Sequence, residues 1–267
     1  IKLYSVTSFI WEHPDLFKEY KNGMKESALV HKVCQRLLNI PVGHRSQDVH
    51  NPTVSSKPFD INDYKIDRFN PKDFVSQKPF YAFFKSRGID FATRCAFHHS
   101  FFLASKTAKD GSTYKNLSFP MHIPGQPDKC VGLEERGYPR KDGSARKGMA
   151  TGTNASEGLW MASPKKTALQ NARIVLVFES AYDAMAFYQL QMRKESGLDQ
   201  RGRQDLKAGI YVSTGGNPSY GQIQGLLKAA PQATFHLGFD KDVAGKQFVA
   251  NFEDIASKQS PVAPGNV

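Results

Sequence analysis

The sequence predicts an α/β protein: a small parallel sheet flanked by helices in the last third, preceded by a smaller mixed α+β basic subdomain. Three observations predict it. Arg173-Ile-Val-Leu-Val-Phe178 is an unbroken apolar run, as expected of a strand covered on both faces. After it, helical spacing and short apolar runs alternate to the end of the chain. Between residues 95 and 160, hairpin signals replace that alternation.

In chain order, Leu29, Val30, Val33 and Leu37 recur at helical spacing, and Pro41 closes the run. Residues 41–78 are polar and turn-rich, with Asn51-Pro52, Asn62-Asp63 and Asn70-Pro71, and read as a linker or irregular arm. Pro79 suits the first turn of a helix and Gly88 its end; Phe80, Phe83 and Phe84 between them read as a core stripe. Lys85 and Arg87 sit at the C-terminal end of that helix, where its dipole favours cations, and could also touch phosphate. Asp110-Gly111 and Asp142-Gly143 are hairpin-type turns, and Leu117–Ile123 and Cys130–Glu134 are strands about a turn at Pro124-Gly125. Lys141, Arg146 and Lys147 make a basic, glycine-rich loop with Gly143, Gly148 and Gly152.

In the last third, strands over 173–178, 209–214 and 233–239 alternate with helices marked by Ala184, Met185 and Tyr188, then Ile223 and Leu226, then Phe248 and Phe252. Strand–helix alternation of this length implies right-handed crossovers and a parallel sheet. The organisation expected is an N-terminal helical region and linker over 1–77, the basic subdomain over 78–168, and the α/β domain over 169–267.

The chain of 267 residues is 40% hydrophobic, enough for a core, and its formal net charge of +11 favours polyanionic partners, above all nucleic acid. Its three cysteines show no Cys-x-x-Cys pairing, so no zinc is expected, and Cys95 beside His98 and His99 reads as a small buried residue. Sparse cysteine fits a reducing cytoplasm. No apolar stretch reaches the roughly 20 residues of a membrane span. The chain starts at Ile1 and ends on loop-like Pro264-Gly265-Asn266-Val267, which fits a piece of a longer protein.

Ligands of open parallel sheets gather at the carboxyl ends of the strands. Glu179 follows the first strand there, and Asp240 and Asp242 follow the third; Asp183, one turn after Glu179, is expected on the same helix face. Carboxylates so crowded need a raised pKa or a cation between them, and Mg²⁺ suits phosphate chemistry. Acids at helix starts also act as caps, which accounts for Asp240 or Asp242 singly. Gly215 and Gly216, after the second strand, let the backbone approach a phosphate.

Phe239-Asp-Lys-Asp-Val-Ala-Gly245 resembles the second acidic motif of the Toprim superfamily, in the form bacterial primases carry. Val177-Phe-Glu-Ser-Ala-Tyr-Asp-Ala184 resembles the first, and Val212-Ser-Thr-Gly-Gly216 the glycine turn between them. Upstream, Phe119-Pro120, Gly132 and Arg136 are similar to the basic subdomain before the primase Toprim domain, and the compact layout resembles primase-like proteins of mobile elements. The zinc module that precedes primase cores is missing from 1–78, and a further acidic motif does not occur before Val267.

The resemblance implies Mg²⁺, with Mn²⁺ as a substitute, on Glu179, Asp183, Asp240 and Asp242. It implies nucleotide or nucleic-acid contacts from Arg136, Lys141, Arg146, Lys147, Gly215, Gly216 and Lys241. It implies primer synthesis on single-stranded DNA in replication or mobile-element transfer, with a helicase or other replication or mobilisation proteins as partners. A Toprim nuclease and a non-catalytic nucleic-acid-binding module are the alternatives.

Overall fold

The structure is a computed structural model that describes residues 6–37, 57–107, 111–142 and 144–259. It divides into two units, 1–53 and 54–267. In the first, α1 (Val6–Glu12) and α2 (Glu26–Leu37) enclose a small core of Ile10, Leu29 and Val33. The helical spacing of Leu29 and Val33 is what buries them on one face. Pro41 and the rest of 38–56 lie outside the described residues, as do Asp110 and Gly143.

The second unit is built on one mixed sheet. Its elements are β1 (Lys65–Arg68), α3 (Phe74–Gln77), α4 (Tyr81–Lys85), α5 (Phe91–Ala96), β2 (Phe102–Thr107), β3 (Thr113–Ile123), β4 (Gln126–Arg136), β5 (Lys147–Met149) and β6 (Leu159–Ala162). There follow β7 (Ile174–Phe178), α6 (Ala181–Met192), α7 (Gln200–Ala208), β8 (Ile210–Ser213), α8 (Tyr220–Ala229), β9 (Thr234–Leu237) and α9 (Val243–Gln259). Among the described residues the sheet order is β1-β2-β3-β6-β8-β7-β9, with β4 on the far side of β3 and β5 on β4.

The α/β expectation holds, with antiparallel pairing through β1–β6 and parallel pairing of β7 with both β8 and β9. Antiparallel β6–β8 pairing, Trp160 opposite Ser213, runs the sheet unbroken across residues 168 and 169. The turn at Pro124-Gly125 joins β3 to β4, with Gly125 at φ +82°. Two elements went unseen in the sequence. Lys65–Arg68 lies in the stretch read as an arm but pairs with β2, and α7 fills the polar segment before β8.

Alternation along the strands sorts two cores. Leu176 and Phe178 of β7, Tyr211 of β8 and Trp160 of β6 face α4, α5 and α6, where Phe80, Phe83, Phe84 and Phe97 are buried. Val175, Val177, Ile210 and Val212 face α8 and α9, against Ile223, Leu226 and Phe252. Covering both faces is what turns the strand sequences into continuous apolar runs. The chain leaves β7 for β8 over one face and reaches β9 over the other. The carboxyl ends of β7 and β9 therefore meet at a switch point.

Candidate functional site

Glu179 leaves the end of β7, and Ser180 caps α6, whose first residue is Ala181. Glu179 thus stands before the helix, which corrects the expectation that it shares a helix face with Asp183: the chain is still extended at Ser180, with ψ 156°. Asp183 lies in the first turn. Ser180 Oγ donates to Asp183 Oδ2 at 2.5 Å and accepts the Asp183 N–H at 3.3 Å.

The Asp240 N–H donates to Glu179 Oε1 at 3.2 Å, tying the end of β9 to the end of β7. Asp242 Oδ1 accepts the Gly245 N–H at 2.8 Å and so caps α9. Its role as a helix cap is therefore realised, with its other oxygen left over. Asp183, Asp240, Lys241 and Asp242 are exposed, while Glu179 is half-buried.

Burial raises the pKa of Glu179; the Asp240 N–H opposes this, and the charges of Asp240, Asp242 and Asp183 raise it further. All three aspartates are therefore close enough to Glu179 to repel it. Among the described residues, however, no three His, Cys, Asp or Glu side chains converge in a metal-binding group. The donor chemistry fits a hard divalent cation, since it is all carboxylate oxygen and its electrostatic repulsion is what such a cation relieves.

Beneath this acidic rim lies a buried network absent from the sequence reading. Glu134, 1% exposed, and Arg136, on the same face of β4, form an ion pair. Glu134 Oε2 accepts from Ser213 Oγ at 2.9 Å. Ser213 Oγ lies 3.3 Å from the Glu179 carbonyl oxygen and accepts the Gly215 N–H at 3.1 Å. One hydroxyl thus touches the acidic motif, the glycine turn and the basic subdomain. Burial pushes the Glu134 pKa up, and the Arg136 charge, the Ser213 hydrogen bond and the Ala181 backbone N–H pull it down.

This corrects the expectation that Arg136 meets nucleic acid. Its guanidinium is buried, bonded to Glu134 and to the Glu135 carbonyl, and 5.9 Å from the Tyr182 ring centroid. The remaining basic positions are where a polyanion can reach them: Lys141, Arg146 and Lys147 are exposed on the hairpin between β4 and β5. That hairpin closes through the Gly137 N–H to the Arg146 carbonyl at 2.8 Å.

The glycine turn divides its labour. Gly215, at φ +73°, packs so closely on the Met149 side chain of β5 that a Cβ would displace it. Gly216, at φ +132°, has open space where a Cβ would stand, so its backbone is approachable. At Cys95-Ala-Phe-His98, the His98 Nδ1 lies 2.7 Å from the Cys95 carbonyl oxygen in a local turn.

Comparison with known proteins agrees with the motif reading over the C-terminal part. Residues 176–263 match the Toprim_2 family model, described as Toprim-like. No curated protein and no solved structure matches the chain. No helix among the described residues is long and apolar enough to cross a membrane.

Proposed function

We propose, from the Toprim-like domain at the C-terminal end, that this chain is a Mg²⁺-dependent nucleotidyltransferase of primase type that makes primers on single-stranded DNA. The observation that carries the reading is the joining of two chemistries on one sheet. Met149 of the strand that follows the basic hairpin packs on Gly215, and Glu134 of the strand that precedes it binds Ser213, beside Glu179. The strands that carry the basic hairpin thus touch the turns that carry the acids and the glycines.

A divalent cation held by Glu179, Asp240 and Asp242 would neutralise charge building on the transferred phosphoryl group and orient the nucleotide triphosphate. The protein's own groups divide the rest. Glu179 is held by the Asp240 N–H, so the end of β9 fixes the direction of its carboxylate. Asp183, bonded to Ser180, is the acid in the first turn of α6. Lys141, Arg146, Lys147 and Lys241 supply positive charge for template and triphosphate, and the open backbone at Gly216 offers the closest approach to a phosphate.

Primer extension on single-stranded DNA tests this, with Mg²⁺ and nucleotides and with Mn²⁺ titrations by calorimetry alongside. Glu179→Gln and Asp240→Asn should each weaken cation binding and lower extension by about 10²–10³-fold, the scale of losing one group that stabilises transition-state charge. Metal-dependent cutting without extension would replace the reading by the nuclease. Unaltered cation binding in both variants would remove the acidic site from the chemistry.

The raised pKa of Glu179 adds a pH test. A carboxyl with a raised folded pKa stabilises the fold below its unfolded pKa, and that contribution is lost as pH rises through the folded value. Cation binding needs the deprotonated group and acts in the opposite sense. The rise in melting temperature produced by Mn²⁺ should therefore grow as pH climbs through the carboxylate range, and flatten in Glu179→Gln. An equal rise at acidic and neutral pH would contradict it.

A further inference from the structure

We infer that the outward side of α3, α4 and α5 is a docking track for single-stranded DNA, which rests on the reading that this chain acts on such a template. The segment turns Phe80, Phe83, Phe84 and Ile89 into the core. It leaves three other aromatic rings in solvent: Phe74 is 70% exposed, Tyr81 53% and Phe91 46%. Each carries a cation on its ring. Lys78 Nζ is 5.1 Å from the Phe74 centroid, Lys85 Nζ 5.4 Å from Tyr81, and the Arg94 guanidinium 5.4 Å from Phe91. The spacings i,i+4, i,i+4 and i,i+3 are those at which helical neighbours meet.

The charge around the rings is one-sided. Between residues 70 and 100 the acids are Asp73 and Asp90, and both are committed as helix caps. Asp73 accepts from the Val75 and Ser76 N–H groups and Asp90 from that of Thr93. Among the described residues none of the ring-bound cations is in an ion pair with a carboxylate.

A ring face with a cation beside it offers a base a stacking surface and its phosphate a charge, the pairing that binds single strands without sequence preference. A duplex, whose bases are already stacked, cannot use the rings. A protein partner fits worse: lysines are depleted from protein interfaces, and burying these cations without carboxylates would be costly. The track also leads toward the acidic site. Arg87, which follows α4, places its guanidinium 5.3 Å from the ring of Tyr182 in the first turn of α6.

The test is fluorescence anisotropy of labelled oligo(dT) with the full chain in EDTA, across a salt series. Phe74→Ala and Tyr81→Ala should each weaken binding about tenfold, the scale of one lost base–aromatic stack, with the salt slope unchanged. Lys78→Gln should lower that slope by about 0.7. Phe91→Leu keeps an apolar side chain against Phe69 and should still lose affinity, whereas Tyr81→Phe should retain it. Because oligo(dT) binding is read in EDTA, without cation or catalysis, a failed primer-extension assay leaves this result readable on its own. Wild-type affinity in a Phe74→Ala/Tyr81→Ala double variant, or duplex bound as tightly as oligo(dT), would overturn the proposal. So would self-association or a protein partner lost in the same variants while oligo(dT) binding persists.

Discussion

Glu134→Ala is expected to destabilise the larger unit by about 3–5 kcal/mol, because it strands the buried Arg136 charge without its partner. Urea unfolding followed by circular dichroism measures it, and a loss below about 1 kcal/mol would show the ion pair to be dispensable. Removing the charges together isolates what the pair does for the site. Glu134→Leu with Arg136→Met fills similar volume with apolar atoms and should recover most of the stability, since a buried ion pair is often no better than a packed hydrophobic pair. It restores no acceptor for Ser213 Oγ, which touches the Glu179 carbonyl and the Gly215 N–H. The double variant is therefore expected to fold and yet bind Mn²⁺ more weakly than wild type. Recovery of both properties would make the network structural only.

That network shows where local sequence stops being informative. Strands β7 and β8 and helices α6, α8 and α9 were legible because two-sided burial makes apolar runs and one-sided burial makes helical periodicity, while β9, at the sheet edge, alternates exposed Thr234 and His236 with half-buried Phe235 and Leu237. The acids Glu179, Asp240 and Asp242 were legible because they follow strand ends. Gln200–Ala208 hid because it is polar, with Gly202 in its first turn, and it is held by an Asp199 cap and by Arg203 bonds to the carbonyls of Arg193 and Leu198. Lys65–Arg68 hid because an exposed edge strand needs no apolar pattern. The burial of Glu134 and Arg136 depends on β6 pairing with both β3 and β8, an arrangement that no local pattern encodes. One signal was available: opposite charges two residues apart on a strand share a face and can pair. Glu134, two positions before Arg136, is that signal.

Gly245→Ala is expected to damage the acidic site as much as losing one of its carboxylates. A Cβ at Gly245 would overlap the Asp240 carbonyl oxygen and stand 2.8 Å from its carbonyl carbon and 3.0 Å from its nitrogen. These are backbone atoms, so no side chain can swing aside. The loop 240–242 must move, or the first turn of α9 must open. The first response pulls the Asp240 N–H from Glu179, and the second pulls the Gly245 N–H from Asp242. Either way the cost is that of an overpacked site, about 1–3 kcal/mol, and the relative placement of Glu179, Asp240 and Asp242 is lost. We expect Mn²⁺ affinity to fall at least about tenfold, on the scale of lost groups that orient metal ligands. Gly216→Ala, with open space for its Cβ but an unfavourable φ, should cost stability without changing cation affinity. If Gly245→Ala binds Mn²⁺ as wild type does, the carboxylates are placed by something other than this close approach. If both glycine variants lose affinity alike, general loosening of the sheet end explains the effect. A loss confined to Gly245→Ala would mean that the glycine closing Asp-x-Asp-x-Ala-Gly is there to let two aspartates and a helix start occupy one turn.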